Sequence, residues 1–125
     1  MLEIYSLNTT AGAGASFPLT NTVISKGTSA ILNGTNEIQL NKCGVYMISC
    51  DASSAAAVTI QLAKNGVLQP QAQSVGDTLS FVTLVQVSEN NTSCPCTSPT
   101  LLTIVNPTDA SETLLNLNIV VTKIC

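Results

Sequence analysis

The amino-acid sequence predicts an all-β sandwich or barrel, and three features of the 125-residue chain support this class. Apolar and polar residues alternate with a period of two over most of the chain, which is typical of strands with one buried face. Residues that favour turns interrupt this alternation about every ten residues, a spacing that is typical of all-β domains. No segment carries an apolar stripe of helical period with caps, and the alanine-rich stretch 53–57 is too short for a stable helix.

The alternation and the turns between strands define the predicted elements in chain order: residues 2–7, two short pieces within 31–40, then 44–51, 58–63, 67–75, 79–87, 101–105 and 114–125. Asn65 and Gly66 accept the positive φ of a hairpin turn, so they should join 58–63 to 67–75. Pro70 removes a backbone donor, which makes 67–75 an edge strand or a bent segment. Asn106 and Pro107 should end the strand 101–105.

Three of the predicted strands, 44–51, 79–87 and 114–125, carry apolar side chains on both faces. The faces assigned to the core consist of Tyr46, Ile48, Cys50, Leu79, Phe81, Val85, Val87, Leu115, Leu117, Ile119 and Val121. The opposite faces still present Val45, Met47, Val82, Leu84, Val120 and Ile124. Only one face of each sheet in a sandwich meets the core, so this second set predicts an interface with another chain. Strand propensity alone explains single exposed apolar residues, but three such strands favour an obligate oligomer.

The composition excludes several classes of function. Apolar residues make up 45% of the chain, charged residues only 9%, and His, Arg and Trp are absent. The commonest general base and neutral metal ligand is therefore missing, and the carboxylates are dispersed, so neither a catalytic site nor a cofactor is predicted. A net charge of −3 without arginine argues against nucleic-acid binding. No apolar run approaches the roughly 20 residues of a membrane span, and no signal peptide is predicted, so we expect cytoplasmic folding.

A series of short motifs resembles a known family when the motifs are taken in order. They are Ser16-Phe17-Pro18-Leu19-Thr20-Asn21-Thr22-Val23, Ile38-Gln39-Leu40, Cys43-Gly44-Val45-Tyr46-Met47-Ile48-Ser49, Val58-Thr59-Ile60-Gln61-Leu62, Lys64-Asn65-Gly66-Val67 and Asn118-Ile119-Val120-Val121-Thr122-Lys123. They resemble the TNF-like and complement-like jelly rolls, in particular the bacterial branch with the C-terminal domain of the exosporium glycoprotein BclA. The chain also resembles small head-fibre and decoration proteins of Firmicutes phages and prophages.

The resemblance implies one domain over residues 1–125, with the N-terminal strand and loop 1–27 leading into it. The implied fold is a TNF-like ten-stranded jelly-roll sandwich of two sheets that assembles as a compact homotrimer. Its inner sheet would contain residues 2–7, 114–125, 44–51 and 79–87, three of which are the strands with two apolar faces. Its outer sheet would include residues 58–63, the strand with one polar face.

The implied topology gathers four of the five cysteines at one end of the sandwich, namely Cys43, Cys94, Cys96 and Cys125. Cys50 lies on the core face, and we expect it to be a buried free thiol. Disulfides within or between chains, a zinc site of four thiolates and reduced cysteines are all open for the other four. Zinc is the least favoured, because one residue between Cys94 and Cys96 is fewer than zinc sites usually have.

These features favour a non-enzymatic structural protein, a homotrimer that decorates the outer surface of a phage virion or forms a fibre on it. Its expected partners are further copies of itself and a capsid or other particle-surface protein, and its expected location is the virion surface after cytoplasmic assembly. A spore-surface protein of the BclA type is the alternative. A carbohydrate- or receptor-binding adhesin is a third reading, although only two Tyr and two Phe are available to stack on a sugar. The polar loop 89–100 is a candidate for partner contact.

Overall fold

The computed structural model describes residues 1–87 and 99–125, and the strands in this part are joined by turns and loops. The strands are β1 (Leu2–Ala11), β2 (Asn21–Ser25), β3 (Ala30–Asn33), β4 (Glu37–Leu40), β5 (Gly44–Lys64), β6 (Val67–Val87), β7 (Thr100–Val105) and β8 (Glu112–Lys123). Their pairings are all antiparallel. In the described ranges, no helix has the length and hydropathy that crossing a membrane requires.

Two long strands connect the layers of the sandwich, because β5 and β6 are 21 residues each and take part in both sheets. Their ladder is interrupted between Ser53 and Val58, where β5 passes from one layer to the other. The inner sheet has the order β2-β1-β8, followed by the first half of β5 and the second half of β6. The outer sheet has the order β3-β4-β7, followed by the second half of β5 and the first half of β6. Five strands in each layer make the ten-stranded, two-sheet jelly roll, and the predicted fold class is confirmed.

The core lies between the two sheets and is built from alternate residues of every long strand. The predicted core residues Tyr46, Ile48, Phe81, Leu117 and Ile119 all lie there, at exposed fractions between 0% and 8%. The hydroxyl of Tyr46 donates to the backbone oxygen of residue 42 at 2.8 Å and lies 3.3 Å from that of residue 29. Burial raises the pKa of this hydroxyl, which stays protonated as a donor. The side chain thereby fixes the turns before β3 and β5 to the core.

The turn predictions agree with the backbone. Asn65 and Gly66 have φ values of 51° and 81°, so they form the hairpin between β5 and β6 as expected. Pro70 lies in the first half of β6, which pairs with β5 alone within the described residues, so this segment is an edge strand. The stretch 31–40 contains β3 and β4 on either side of the turn at Gly34.

Two features of the N-terminal region differ from the sequence prediction. β1 continues to Ala11, and β2 is an additional strand within the segment 1–27. β2 is an edge strand whose residues are almost all exposed, so it shows no alternation of burial.

The assignment of Leu115 to the core is wrong, because Leu115 is 47% exposed and Leu114 is buried instead. The cause lies in the paired strand, where Asn8 adopts a left-handed φ of 51°. The alternation of buried and exposed residues in β1 therefore shifts by one position after Ser6, so that Thr9 is the next buried residue. The paired strand β8 shows the same shift, and Leu114 is buried opposite Thr9. Asparagine tolerates a left-handed backbone better than most residues, but nothing in the sequence around Asn8 indicates that this residue adopts it.

Gly44 is required where the C-terminal residue approaches the start of β5. Its φ is +145°, and a Cβ at this position would lie 2.4 Å from the backbone oxygen of Cys125. We expect Gly44→Ala to lower the free energy of unfolding by about 2 kcal/mol or more, measured by urea denaturation. Gly12→Ala is the control, because its Cβ would meet nothing within 4 Å, and its effect should stay below about 0.5 kcal/mol. Equal effects of the two changes would contradict this explanation.

Candidate functional site

The outward face of the inner sheet carries an apolar surface, which we call the apolar face. Its members are the predicted interface residues Val45, Met47, Val82, Leu84, Val120 and Ile124. Successive side chains of a strand point to opposite faces, so the buried residues next to them fix the direction of the five members that lie within strands, which are all but Ile124.

Cross-strand pairing places members of the apolar face beside one another. Met47 pairs with Leu84, while Ser49 pairs with Val82 on one side and Val120 on the other. Directly paired residues on one face of a sheet have Cβ atoms about 4.5–5.5 Å apart. Four apolar side chains therefore surround the small Ser49 and form a continuous patch across β6, β5 and β8.

Two further members extend this patch toward one end of the sandwich. Ile124 follows the last residue of β8, and its amide donates to the carbonyl of Val45 at 2.8 Å. This bond continues the β8–β5 ladder past its assigned end and keeps Ile124 beside the start of β5.

The apolar face is exposed in the single chain. The exposed fractions are 63% for Val82, 57% for Leu84, 48% for Ile124 and 37% for Met47. Val45 and Val120 are half-buried. Single exposed apolar residues are ordinary on protein surfaces, but a contiguous group marks a contact surface.

Among residues 1–87 and 99–125, the charged side chains that pair with strands of this surface lie at its border. Glu3 lies on β1 and pairs with Val120 on the side of β8 that faces away from β5. Asp51 lies two residues after Ser49 on β5 and pairs with the polar residues Ser80 and Asn118. The polar residues within the patch are neutral, so burying it against another chain desolvates no charge at its centre. That combination suits a stable protein contact.

Sequence reasoning missed three further exposed apolar residues on β1 and β8 of the inner sheet. Tyr5 and Leu7 of β1 are 38% and 61% exposed, and Leu115 of β8 is 47% exposed. The alternation within residues 2–7 already places Tyr5 and Leu7 opposite the buried Leu2 and Ile4, so this strand also has two apolar faces. Leu115 gave no such signal, because its orientation depends on the backbone of Asn8.

The cysteines are placed as follows. Cys43 is disulfide-bonded, whereas Cys50 and Cys125 are free thiols. Cys125 does lie at the end of the sandwich where Cys43 lies, since its amide approaches the Val45 carbonyl at 3.4 Å. Cys94 and Cys96 fall outside the described residues, as does most of the predicted contact loop.

Cys125 forms no disulfide within the chain, so an intrachain bond from this residue is ruled out, whereas a disulfide between chains stays a prediction. Its backbone oxygen accepts a hydrogen bond from the Lys123 ammonium at 2.6 Å and lies over Gly44, while the thiol is exposed. In residues 1–87 and 99–125, no group of three or more Cys, Asp or Glu side chains has the arrangement of a metal site.

Cys50 is a free thiol enclosed by the core, as expected from the sequence. It is 0% exposed, and burial, with a smaller contribution from the charge of Asp51, raises its pKa to about 12. The thiolate is the reactive form, so we expect iodoacetamide to modify Cys50 at least about 100-fold more slowly than Cys125 in the folded protein. Peptide mass spectrometry measures both rates, which should become similar in denaturant. Rapid modification of Cys50 in the folded protein would contradict its placement.

Comparison with solved structures identifies the fold. Murine APRIL at pH 5.0 aligns with a TM-score of 0.66 and 8% identity over 98% of both chains. Murine APRIL at pH 8.0 aligns with a TM-score of 0.64 and 11% identity over 98% of this chain and 97% of the other. Rabbit GITRL aligns with a TM-score of 0.52 and 13% identity over 91% and 93%. These similarities show a TNF-like jelly roll.

Comparison at the level of sequence gives no match. No protein-family model matches the chain, and no curated protein sequence matches it.

Proposed function

We propose that the protein is a non-enzymatic structural protein that assembles as a homotrimer through its apolar face and is displayed on the outer surface of a phage virion. The apolar face is the observation that carries this proposal. It is exposed in the single chain, uncharged at its centre and continuous across three strands. Covering it gains about 25 cal/mol for each Å² of apolar surface removed from water.

Self-association is favoured over a contact with an unrelated chain, because this chain carries both an apolar face and an unpaired strand edge that can pack on it. Within the described residues β6 pairs with β5 alone, so its other edge is unpaired along its length. That edge belongs to the strand that carries Val82 and Leu84, two members of the apolar face. When the edge of each copy packs on the apolar face of the next, three copies close into a ring without leaving an open surface. The TNF-like fold and the jelly-roll resemblance of the sequence both support this arrangement.

A non-enzymatic role agrees with the chemistry of the chain. Histidine is absent, and burial raises the pKa of Cys50, the one thiol among the described core residues. The described Asp and Glu residues form no cluster with Cys that has the arrangement of a metal site. A packing module needs none of these groups.

Display on a virion is supported by the resemblance of the motifs to phage head-fibre and decoration proteins. Immunogold electron microscopy of purified phage particles from the source, with mass spectrometry of the same particles, tests this location. Label on the outer surface of intact particles is the expected result. Spores from the same source are the parallel sample, because the BclA-type resemblance favours a spore surface as the second candidate. Label on spores and none on virions would overturn virion display.

A further inference from the structure

A cavity of about 370 Å³ lies at the end of the sandwich where β5 passes between the layers. One wall is apolar and consists of Ala55, Ala57 and Val58 from the β5 bend. The other wall comes from the loop that leads into β8 and contributes Thr108, Ser111 and Glu112. The small side chains of the bend leave this space open, since residues 55–57 are exposed alanines.

Glu112 is held at the cavity wall by only one of its two carboxylate oxygens. Oε1 accepts from the amide of Thr59 at 3.1 Å and lies 3.4 Å from the hydroxyl oxygen of Thr108, which is closer to the side-chain oxygen of Asn106. Oε2 is buried and has no hydrogen-bond partner. A buried acceptor without a donor costs free energy, and such atoms are uncommon in folded proteins.

The fold itself does not explain why this side chain is a carboxylate. A glutamine would accept from Thr59 equally well through its amide oxygen. None of the four lysines lines the cavity, so no cation there balances the charge of Glu112. A bound group that supplies both a donor and a positive charge would satisfy the free oxygen.

We propose that this cavity binds an alkylammonium group, the chemistry shared by a free alkylamine and a lysine side chain. The ammonium donates to Oε2 of Glu112, and the alkyl stem packs on Ala55, Ala57 and Val58. Because Oε2 is closed off from solvent without a ligand, binding requires the carboxylate to rotate about its soft terminal torsion, which also moves Oε1 relative to the Thr59 amide. A calcium ion fits less well, because it takes six to eight oxygen ligands and Glu112 is the single carboxylate in the lining.

Amide chemical shifts of the full chain at pH 7 test the proposal with three probes. The probes are n-butylammonium, Nα-acetyl-lysine methylamide and the neutral n-butanol. We expect both cations to shift the amides of residues 55–58 and 111–113, and n-butanol to bind at least about tenfold more weakly, a difference of about 1.4 kcal/mol. Binding of the lysine derivative at least as tight as that of butylammonium assigns the site to a protein lysine, and weaker binding assigns it to free amines. Equal binding of n-butanol, or no shift with either cation at about 100 mM, would overturn the proposal.

Substitutions separate the charge from the shape of the cavity. Glu112→Gln retains the acceptor for Thr59 and removes the charge, so it should weaken butylammonium binding at least about tenfold. Ala55→Leu fills the space and keeps the carboxylate, so it should have a similar effect, whereas Ala13→Leu, at an exposed alanine outside the lining, should have none. Wild-type affinity in both Glu112→Gln and Ala55→Leu would contradict the assignment, whatever the oligomeric state proves to be.

Discussion

Val82→Glu is expected to convert the proposed homotrimer into monomers. Val82 is 63% exposed in the single chain, so a glutamate at this position is solvated in the monomer and leaves its fold intact. In the trimer the same side chain would be buried without a partner, at a cost of several kcal/mol in each of three contacts. Light scattering after size exclusion should show a fall from about 39 kDa, three times the 12.9 kDa of the chain, to 12.9 kDa.

Val75→Glu is the matched control for this change. Val75 lies on the same strand and is 67% exposed, but it belongs to the half of β6 that forms the outer sheet. Its substitution introduces the same charge at the same residue type and should leave the trimer assembled. An intact trimer of the Val82→Glu variant, or equal dissociation by both variants, would show that the apolar face is not the contact.

Asn106→Ala is expected to cause a large loss of stability, about 3–5 kcal/mol in the free energy of unfolding. Asn106 is 0% exposed, and its amide nitrogen lies within hydrogen-bond distance of the carbonyls of Ala11, Gly12 and Ala110, at 3.1, 3.3 and 2.6 Å. Its side-chain oxygen accepts from the amide and the hydroxyl of Thr108, at 3.0 and 2.6 Å. Alanine would remove all five contacts, including the buried one to the Ala11 carbonyl, and with them the link between the end of β1 and the loop before β8.

Asn116→Ala removes a comparable side chain from an exposed position. The amide of Asn116 donates only to the Ser53 hydroxyl at the surface, so we expect a change below about 0.5 kcal/mol. Thermal or urea unfolding of both variants measures the difference. A small effect of Asn106→Ala would mean that water or neighbouring residues replace its five contacts.

The fold could be predicted largely because its determinants are local. Alternation within each strand identifies the buried face, and the Asn65-Gly66 turn joins two strands without reference to the rest of the chain. The sequence also indicated the apolar face for the same reason. Once Tyr46 and Ile48 face the core, Val45 and Met47 have to face outward.

The remaining features depend on contacts between distant segments. Leu115 is exposed because Asn8, more than 100 positions earlier in the chain, changes the twist of the paired strand. From the sequence, Asn106 is predicted only to end a strand. Its role in linking β1 to the loop before β8 depends on these two distant segments lying on either side of its side chain. The free oxygen of Glu112 becomes visible only when the bend of β5 is placed beside it. β2 could not be predicted, because an edge strand exposed on both faces has no alternation to recognise.

The molecular mass of the unmodified protein in solution tests the central claim most directly. Light scattering and native mass spectrometry should be carried out between about 1 and 100 µM in physiological salt, with and without reductant. The apolar face should hold three chains together by packing alone, so we expect about 39 kDa at every concentration and in both conditions, three times the 12.9 kDa of one chain. A stable species of 12.9 kDa across that range would contradict the claim that the outward face of the inner sheet is a contact between copies of this chain.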